Sequence, residues 1–412
     1  MRSEKVNPLL RTADGRLLVG AQFCDHFAIG LAFVALPWIV LDGGGGPALA
    51  GLVFAVGTLP YVLFGLLAGV TGDRRSRKRV MVGAHALQMA CAAAVPLWAL
   101  VSHPPVALVL ASAFAVGTGR TYADAASFGA VADLVGSANF VQAQAALSTG
   151  WAAGSIAGPF LGGVLVAAFG AAEAVAAESA LFAVAAVLVW RIRRPLAAPG
   201  HELEGRIRDA AREGISVIRR TPLLRLLTSV QLLWYLSVIG ALALIVPFLR
   251  EDLGLDARET GWILGVGAAM GLSAGFFVGA LERRFGGLRL IAASIVVSAL
   301  AVVGLAGAPG FWGALVAYAA LNLSIWVSVT SLIGERQRLA PDHLQARVGI
   351  TGRAIALGSM MVGSLIASGL AVFVPLRALY LGVGLTALAI AVWAVPALLR
   401  RAAALPLPET LQ

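Results

Sequence analysis

Lysine is nearly missing from this sequence: Lys5 and Lys78 stand beside 29 arginines. Neither lysine sits in a G-x-x-x-x-G-K-[ST] loop, so there is no Walker A lysine and no ATPase activity is expected of the chain itself. Cysteine is as scarce. Cys24 and Cys91 both fall in apolar runs, which leaves no disulfide framework and reads as small packing residues. The five histidines, at 26, 85, 103, 201 and 343, form no H-E-x-x-H pair. No G-x-S-x-G elbow comes with triad partners, so nothing here marks an enzyme, and no cofactor or metal is implied. Charge is thin too. Asp, Glu, Lys and Arg make up 13% of the residues, about half the share of an ordinary soluble domain.

What fills the sequence instead is apolar: 59% of its 412 residues, with a mean hydropathy of +0.87. These residues come in repeated runs of about 20, long enough to cross a hydrocarbon core. The expectation is an all-α integral membrane protein. Twelve spans are predicted at 17–41, 48–72, 80–101, 105–132, 140–168, 174–190, 224–249, 259–282, 288–307, 311–334, 346–374 and 377–399. The first is too long for the apolar part of a signal peptide and is read as a retained span. With both termini in the cytoplasm, 26 of the 31 Lys and Arg residues fall on that side, as the positive-inside rule requires. Topology therefore accounts for the net charge of +10, and nucleic acid is not an expected partner.

The stretch Gly65–Val80 organises this layout. It ends one apolar run, presents Asp73 and then Arg74, Arg75, Arg77, Lys78 and Arg79, and enters the next. Residues 191–223 form the longest interruption and carry Leu203, Ile207, Ala211, Ile215 and Ile218 along one face. That pattern fits an amphipathic helix on the inner leaflet. It divides a six-helix bundle at 1–190 from a second at 224–412. A degenerate copy of the basic turn, Gly279 to Arg289, lies 210 residues after Gly69, and internal repeats of this kind are a transporter signature.

Gly69-x-x-x-Asp73-Arg74-x-x-Arg77-Lys78 resembles the loop 2–3 signature of the major facilitator superfamily. Gly154-x-x-x-Gly158-Pro159-x-x-Gly162-Gly163 is similar to the antiporter signature of its drug:proton exchangers. Asp25 and the D-R-R-S-R-K-R form also resemble the exporter branch that contains macrolide-efflux and siderophore-export proteins. The resemblance covers nearly the whole chain and implies two pseudo-symmetric six-helix halves, with export rather than uptake. Two departures stand out. Ser76 replaces a usual glycine, and Arg283 replaces the aspartate of the second copy, which implies a weaker latch there.

Beside the resemblance, the residues have their own reading. Asp73 at a helix end, with Arg77 and its candidate partner Asp133, makes sense as a charged gate latch. Purely topogenic charge is the plainer alternative. Glycines 150, 154, 158 and 162, and again 267, 271, 275 and 279, form one-faced ladders at spacing four, which let helix backbones approach closely. The two ladders are expected to face one another between the halves, with ordinary packing inside each half as the alternative. Pro159 is expected to kink its helix.

Charges inside spans are the strongest site candidates, because burying them is costly. Asp25 lies eight residues into the first predicted span, roughly 12 Å deep, and Arg120 stands one turn from Asp124. The hypothesis is that Asp25 takes up and releases a coupling proton, with Arg120 as its charge partner. A static Arg120–Asp124 bridge is the rival. His26 points away from Asp25 on an ideal helix, and Glu178 is placed near the outer interface, outside the site. Gln231, Trp234, Tyr235, Asn322, Trp326 and Arg353 are the candidate substrate-cavity residues, a mixture that suits an amphipathic molecule. The expected function is proton-coupled export of an amphipathic small organic molecule by a plasma-membrane monomer. A metabolite importer, or a sensor or scramblase, are the alternatives.

Overall fold

The computed structural model describes residues 7–136, 139–196, 213–341 and 344–404. Twelve helices in these segments are long and apolar enough to cross a membrane. They are α1 (Ala13–Asp42), α2 (Gly46–Arg74), α3 (Arg77–Ala99), α4 (Val106–Val135), α5 (Phe140–Phe169) and α6 (Ala171–Trp190). The series continues with α7 (Pro222–Asp252, a composite span), α8 (Ala257–Phe285), α9 (Gly287–Ala306), α10 (Phe311–Leu339), α11 (Gln345–Leu370) and α12 (Leu376–Ala404). Every span predicted from the apolar runs has its helix. The helices run several residues further at many ends, because polar and charged residues continue the helix beyond the apolar run.

Local sequence sets the ends. Thr12 caps α1 by accepting from the Gly15 amide at 3.0 Å. Gly136 and Gly170 stop α4 and α5 at φ of 73° and 109°, a region costly for any residue with a Cβ. The composite α7 departs from expectation. An α-helix over Pro222–Trp234 gives way to a π segment (Tyr235–Ile239), a 3₁₀ turn (Leu242–Leu244) and a second π segment (Phe248–Asp252). Pro247 removes a backbone donor in this region, and Tyr380 of α12 donates its hydroxyl to the Ala241 carbonyl at 2.9 Å. Gly240 lets the break sit against α11; a Cβ there would come 2.6 Å from the Gly363 Cα.

The chain divides into two compact units, residues 1–204 with 256–265, and residues 205–255 with 266–412. In the first, α1 packs against α5 and α6, α2 against α4, and α3 against α4 and α6. One apolar cluster in it gathers Leu9, Leu18, Met81, Val131, Leu147, Val189 and Ile192. In the second, α9 packs against α10 and α12, and α11 against the first π segment of α7. The expected surface helix is described only from residue 213, as about two turns over 213–220. Leu203, Ile207 and Ala211 lie outside the described residues. Ile218 is buried against Ala340 and Val348, and Glu213 pairs with Arg347, so this segment docks on protein at the start of α11.

Candidate functional site

A cluster of ionisable and polar side chains fills the middle of the first unit, where α1, α2, α3 and α4 meet. Asp25 is fully buried, and its Oδ1 accepts from Gln88 Nε2 at 3.0 Å. Gln88 in turn takes a bond at 2.9 Å from His85 Nδ1, which also lies 3.6 Å from Asp25 Oδ1. On the other side, His26 Nδ1 stands 3.0 Å from the Gln22 carbonyl and 3.5 Å from Asp25 Oδ2. Donation from Nδ1 to Gln22 leaves Nε2 as the acceptor, and Arg120 Nη2 approaches it at 3.5 Å. Arg120 Nε lies 3.9 Å from Asp124 Oδ2, which also accepts from the Tyr61 hydroxyl at 2.5 Å. The Tyr61 ring lies 5.8 Å from the guanidinium carbon. The result is a chain of contacts: His85, Gln88, Asp25, His26, Arg120, Asp124, Tyr61.

Two expectations change here. No ion pair joins Asp25 directly to Arg120 among the described residues; His26 stands between them, and Arg120 makes its ion pair with Asp124. His26 is therefore part of the cluster, because α1 packed between α4 and α5 leaves its ring no solvent side. It meets Trp151 of α5 edge-on at 4.8 Å between centroids. Sequence reasoning missed Gln88, His85 and Tyr61. A spacing of three between His85 and Gln88 inside an apolar run was the available signal.

The cluster is not fully satisfied. Asp25 Oδ2, His85 Nε2 and Arg120 Nε are buried without a hydrogen-bond partner. Gln144 Oε1 and Trp151 Nε1 are also unpaired, and both residues line a small hollow beside Asp124 with Gln22, Ser127 and Ser148. Its free space is that of about one water. Ligand atoms of Asp25, His26 and Asp124 come within 4.8 Å of one another. A metal cation among them would face the Arg120 guanidinium, so this donor set fits a proton and charge network rather than a metal centre.

At the ends of α3 and α4, Arg77 is 6% exposed and donates to Asp133 Oδ1 at 2.6 Å and to the Gly129 carbonyl at 3.3 Å. Gly129 makes the room, since a Cβ there would strike the Arg77 side chain. Lys78 donates to the Ile192 carbonyl at 2.7 Å. The side chains of Asp73 and Arg74 lie outside the described residues, and Gly69 has open space around it. In the second unit Arg338 bridges Glu282 at 3.8 Å and Glu335 at 3.2 Å. Glu282 stands next to Arg283 in the copy of the basic turn, while Arg338 and Glu335 belong to the end of α10.

All four glycines of the α5 ladder, and two of the four in α8, lie against another helix. Cβ atoms at Gly154 and Gly158 would come 2.6 Å from the Phe23 carbonyl oxygen and the Gly30 Cα, and Gly150 and Gly162 also abut α1. Gly163 meets the Ala257–Gly261 turn. Gly267 and Gly271 lie under Tyr318 and Trp326 of α10, Gly275 is open, and Gly279 touches only Arg283. This corrects the expectation that the two ladders face one another: the small residues of α5 serve a close seam with α1.

Among the candidate cavity residues, Trp234 is a core residue, 3% exposed, donating to Ser298 Oγ of α9 at 3.0 Å. That corrects its placement on a cavity, since its indole N–H is used inside the bundle. Gln231 is buried with its Oε1 unpaired, and Tyr235 is partly buried. Asn322 donates to the Tyr318 carbonyl, Trp326 is 43% exposed, and Arg353 is exposed. Arg336 was missed. It is 5% exposed, bonds Thr228 Oγ1 at 3.3 Å, and its Nε has no partner.

Twelve membrane-length helices and a buried, incompletely paired charge cluster define a polytopic membrane protein whose interior charges need a use beyond stability. The Major Facilitator Superfamily profile matches residues 18–349, and the chain belongs to that superfamily of transporters. It is 27% identical over 409 residues to the multidrug efflux pump Tap of Mycolicibacterium fortuitum, covering 96% of this chain and 97% of the relative. Tap of Mycobacterium tuberculosis (strain ATCC 25618 / H37Rv) is 25% identical over 295 residues, covering 67% and 66%. Among solved structures, the nucleoside transporter NupG matches with a TM-score of 0.77 at 11% identity, covering 96% of this chain and 99% of that one. A bacterial homologue of the iron transporter ferroportin, inward-facing, matches at 0.71 and 17%, covering 95% and 98%. These structural likenesses are of fold alone.

Proposed function

We propose that this protein is a proton-coupled exporter of amphipathic small organic molecules, working by alternating access in the plasma membrane. The observation that carries the reading is Asp25: a fully buried carboxyl with one oxygen unpaired, linked through His26 to Arg120 and Asp124. A proton arriving on Asp25 removes the charge that holds His26 and Gln88 in place. The shift passes to Arg120, which can then close on Asp124 or release it. Coupling follows if the two pairings belong to different gate states. The similarity to multidrug efflux pumps over nearly the whole chain supports export as the direction and amphipathic molecules as the cargo. The distribution of arginines supports cytoplasmic termini. Arg77–Asp133, with Asp73, Arg74, Lys78 and Gly69 of the same stretch of sequence, is the proposed latch. Gln231, Tyr235, Asn322, Trp326 and Arg353 are the proposed substrate contacts.

The test uses everted membrane vesicles with an acid interior and ethidium as the transported probe. The wild type should accumulate ethidium, and nigericin should abolish the accumulation. Asp25→Asn should remove the dependence on the pH gradient while the protein still reaches the membrane. Undiminished gradient-driven uptake by Asp25→Asn would overturn the role of Asp25. Ethidium uptake by the wild type that ignores the gradient would overturn proton coupling.

A further inference from the structure

Glu178 of α6 is 1% exposed, and neither of its carboxyl oxygens has a hydrogen-bond partner. Three ties fix its depth. Asp14 at the start of α1 accepts from the Arg193 and Arg194 amides just past α6, at 3.0 and 3.1 Å. Lys78 at the start of α3 donates to the Ile192 carbonyl. Ser179 Oγ donates to the Met89 carbonyl at 2.9 Å, which locks α6 to α3 beside Glu178. Asp25 lies eleven residues past Asp14, Gln88 ten past Lys78, and Glu178 twelve before Trp190. At 1.5 Å per residue all three sit about 15–18 Å from the tied ends. Glu178 is therefore level with the Asp25 cluster, not near the far interface where its sequence position alone had put it.

The titratable groups around it are few. The α1 helix presents Asp25, within electrostatic reach; His85 of α3, whose Nε2 is likewise unpartnered, stands against Asp25. The α5 helix has no titratable side chain, and α6 has only Glu173 besides, near its opposite end. Among the described residues no donor and no paired cation meets the carboxyl. The one occupant that satisfies such a group without needing further room is a proton.

We propose that Glu178 is a second proton-binding site, loaded and unloaded in the same cycle as Asp25. The proposal rests on the reading of Asp25 as the coupling carboxyl. Two buried carboxyls at one depth, within electrostatic reach of each other, disfavour simultaneous ionisation, so the release of one proton opposes the release of the other. Up to two protons then move per turnover.

Infrared difference spectra of the full-chain protein in detergent, titrated over pH, read the protonated carboxyl C=O stretch directly. The wild type should give two titrating components, one lost in Glu178→Gln and the other in Asp25→Asn. If Glu178→Gln fails to fold, ¹³C-glutamate labelling of the wild type separates a buried glutamate band from the aspartate bands and keeps the test decisive. A Glu178 band that never titrates while the protein stays folded would make it a permanent neutral acid and overturn the proposal. So would a wild-type titration that Glu178→Gln leaves unchanged. A Glu178 component that titrates while the Asp25 component does not would instead overturn the reading of Asp25.

Discussion

At the scale of single residues, Tyr61 offers a clean dissection of the Arg120–Asp124 end of the cluster. Its hydroxyl bonds Asp124 while its ring lies under the Arg120 guanidinium. Tyr61→Phe keeps the ring and removes the donor, so a hydrogen bond to a charged group is lost, worth about 1–3 kcal/mol. Tyr61→Leu also removes the cation–π contact, a further ~0.5–2 kcal/mol. Thermal unfolding of the purified variants in detergent should rank wild type above Phe above Leu. Equal Tm values for Phe and wild type would mean that Arg120 alone holds Asp124. Asp25, Arg120 and Asp124 were legible in the sequence because a charge inside an apolar run stands out. Tyr61, His85 and Gln88 were not, since uncharged polar residues occur in spans for many reasons. Only the packing of α2 and α3 brings these three to one cluster. Glu178 was visible but misplaced, because depth depends on which helix ends are tied together, and hydropathy does not record that.

At the scale of elements, the α1–α5 seam is a line of close backbone approach, and its glycines are not equivalent to those of α8. A Cβ at Gly158 would meet the Gly30 Cα at 2.6 Å, backbone against backbone, with no flexible side chain to yield. Gly275 of α8 has nothing within 4 Å. Gly158→Ala should therefore force the helices apart and cost about 1–3 kcal/mol by overpacking. Gly275→Ala should be neutral or stabilise slightly, by up to about 1 kcal/mol, through helix propensity. Unfolding temperatures of the two variants in the same detergent check this, and equal losses would mean that the seam is looser than its geometry. The ladders themselves were readable from spacing. Their partners were not, because a stripe of small residues specifies close approach without specifying to what. The break in α7 was hidden for a related reason: an unbroken apolar run carries no mark of π or 3₁₀ geometry beyond Gly240 and Pro247.

At the scale of the whole molecule, the twelve spans were legible because membrane length and hydropathy determine them almost alone. The repeat of the basic turn was legible too, and the two copies turn out to be built differently. In the first, one arginine, nearly buried, meets one aspartate at 2.6 Å, with its guanidinium also held by a backbone carbonyl. In the second, Arg338 reaches two glutamates at longer range, and its side chain is 62% exposed. Solvent and salt screen such a bridge, so it is worth about 0–1 kcal/mol. Losing the part-buried Arg77–Asp133 bond costs more, about 1.5–3 kcal/mol. Arg77→Ala should consequently lower Tm by several degrees and make transport constitutively leaky, while Arg338→Ala leaves both close to wild type. The charge-swapped pair Arg77→Asp with Asp133→Arg should recover part of the loss, which separates the pairing from the mere presence of positive charge. If Arg338→Ala proves as damaging as Arg77→Ala, the two turns are equal latches, and the substitution of Arg283 for an aspartate has been fully compensated by Glu282.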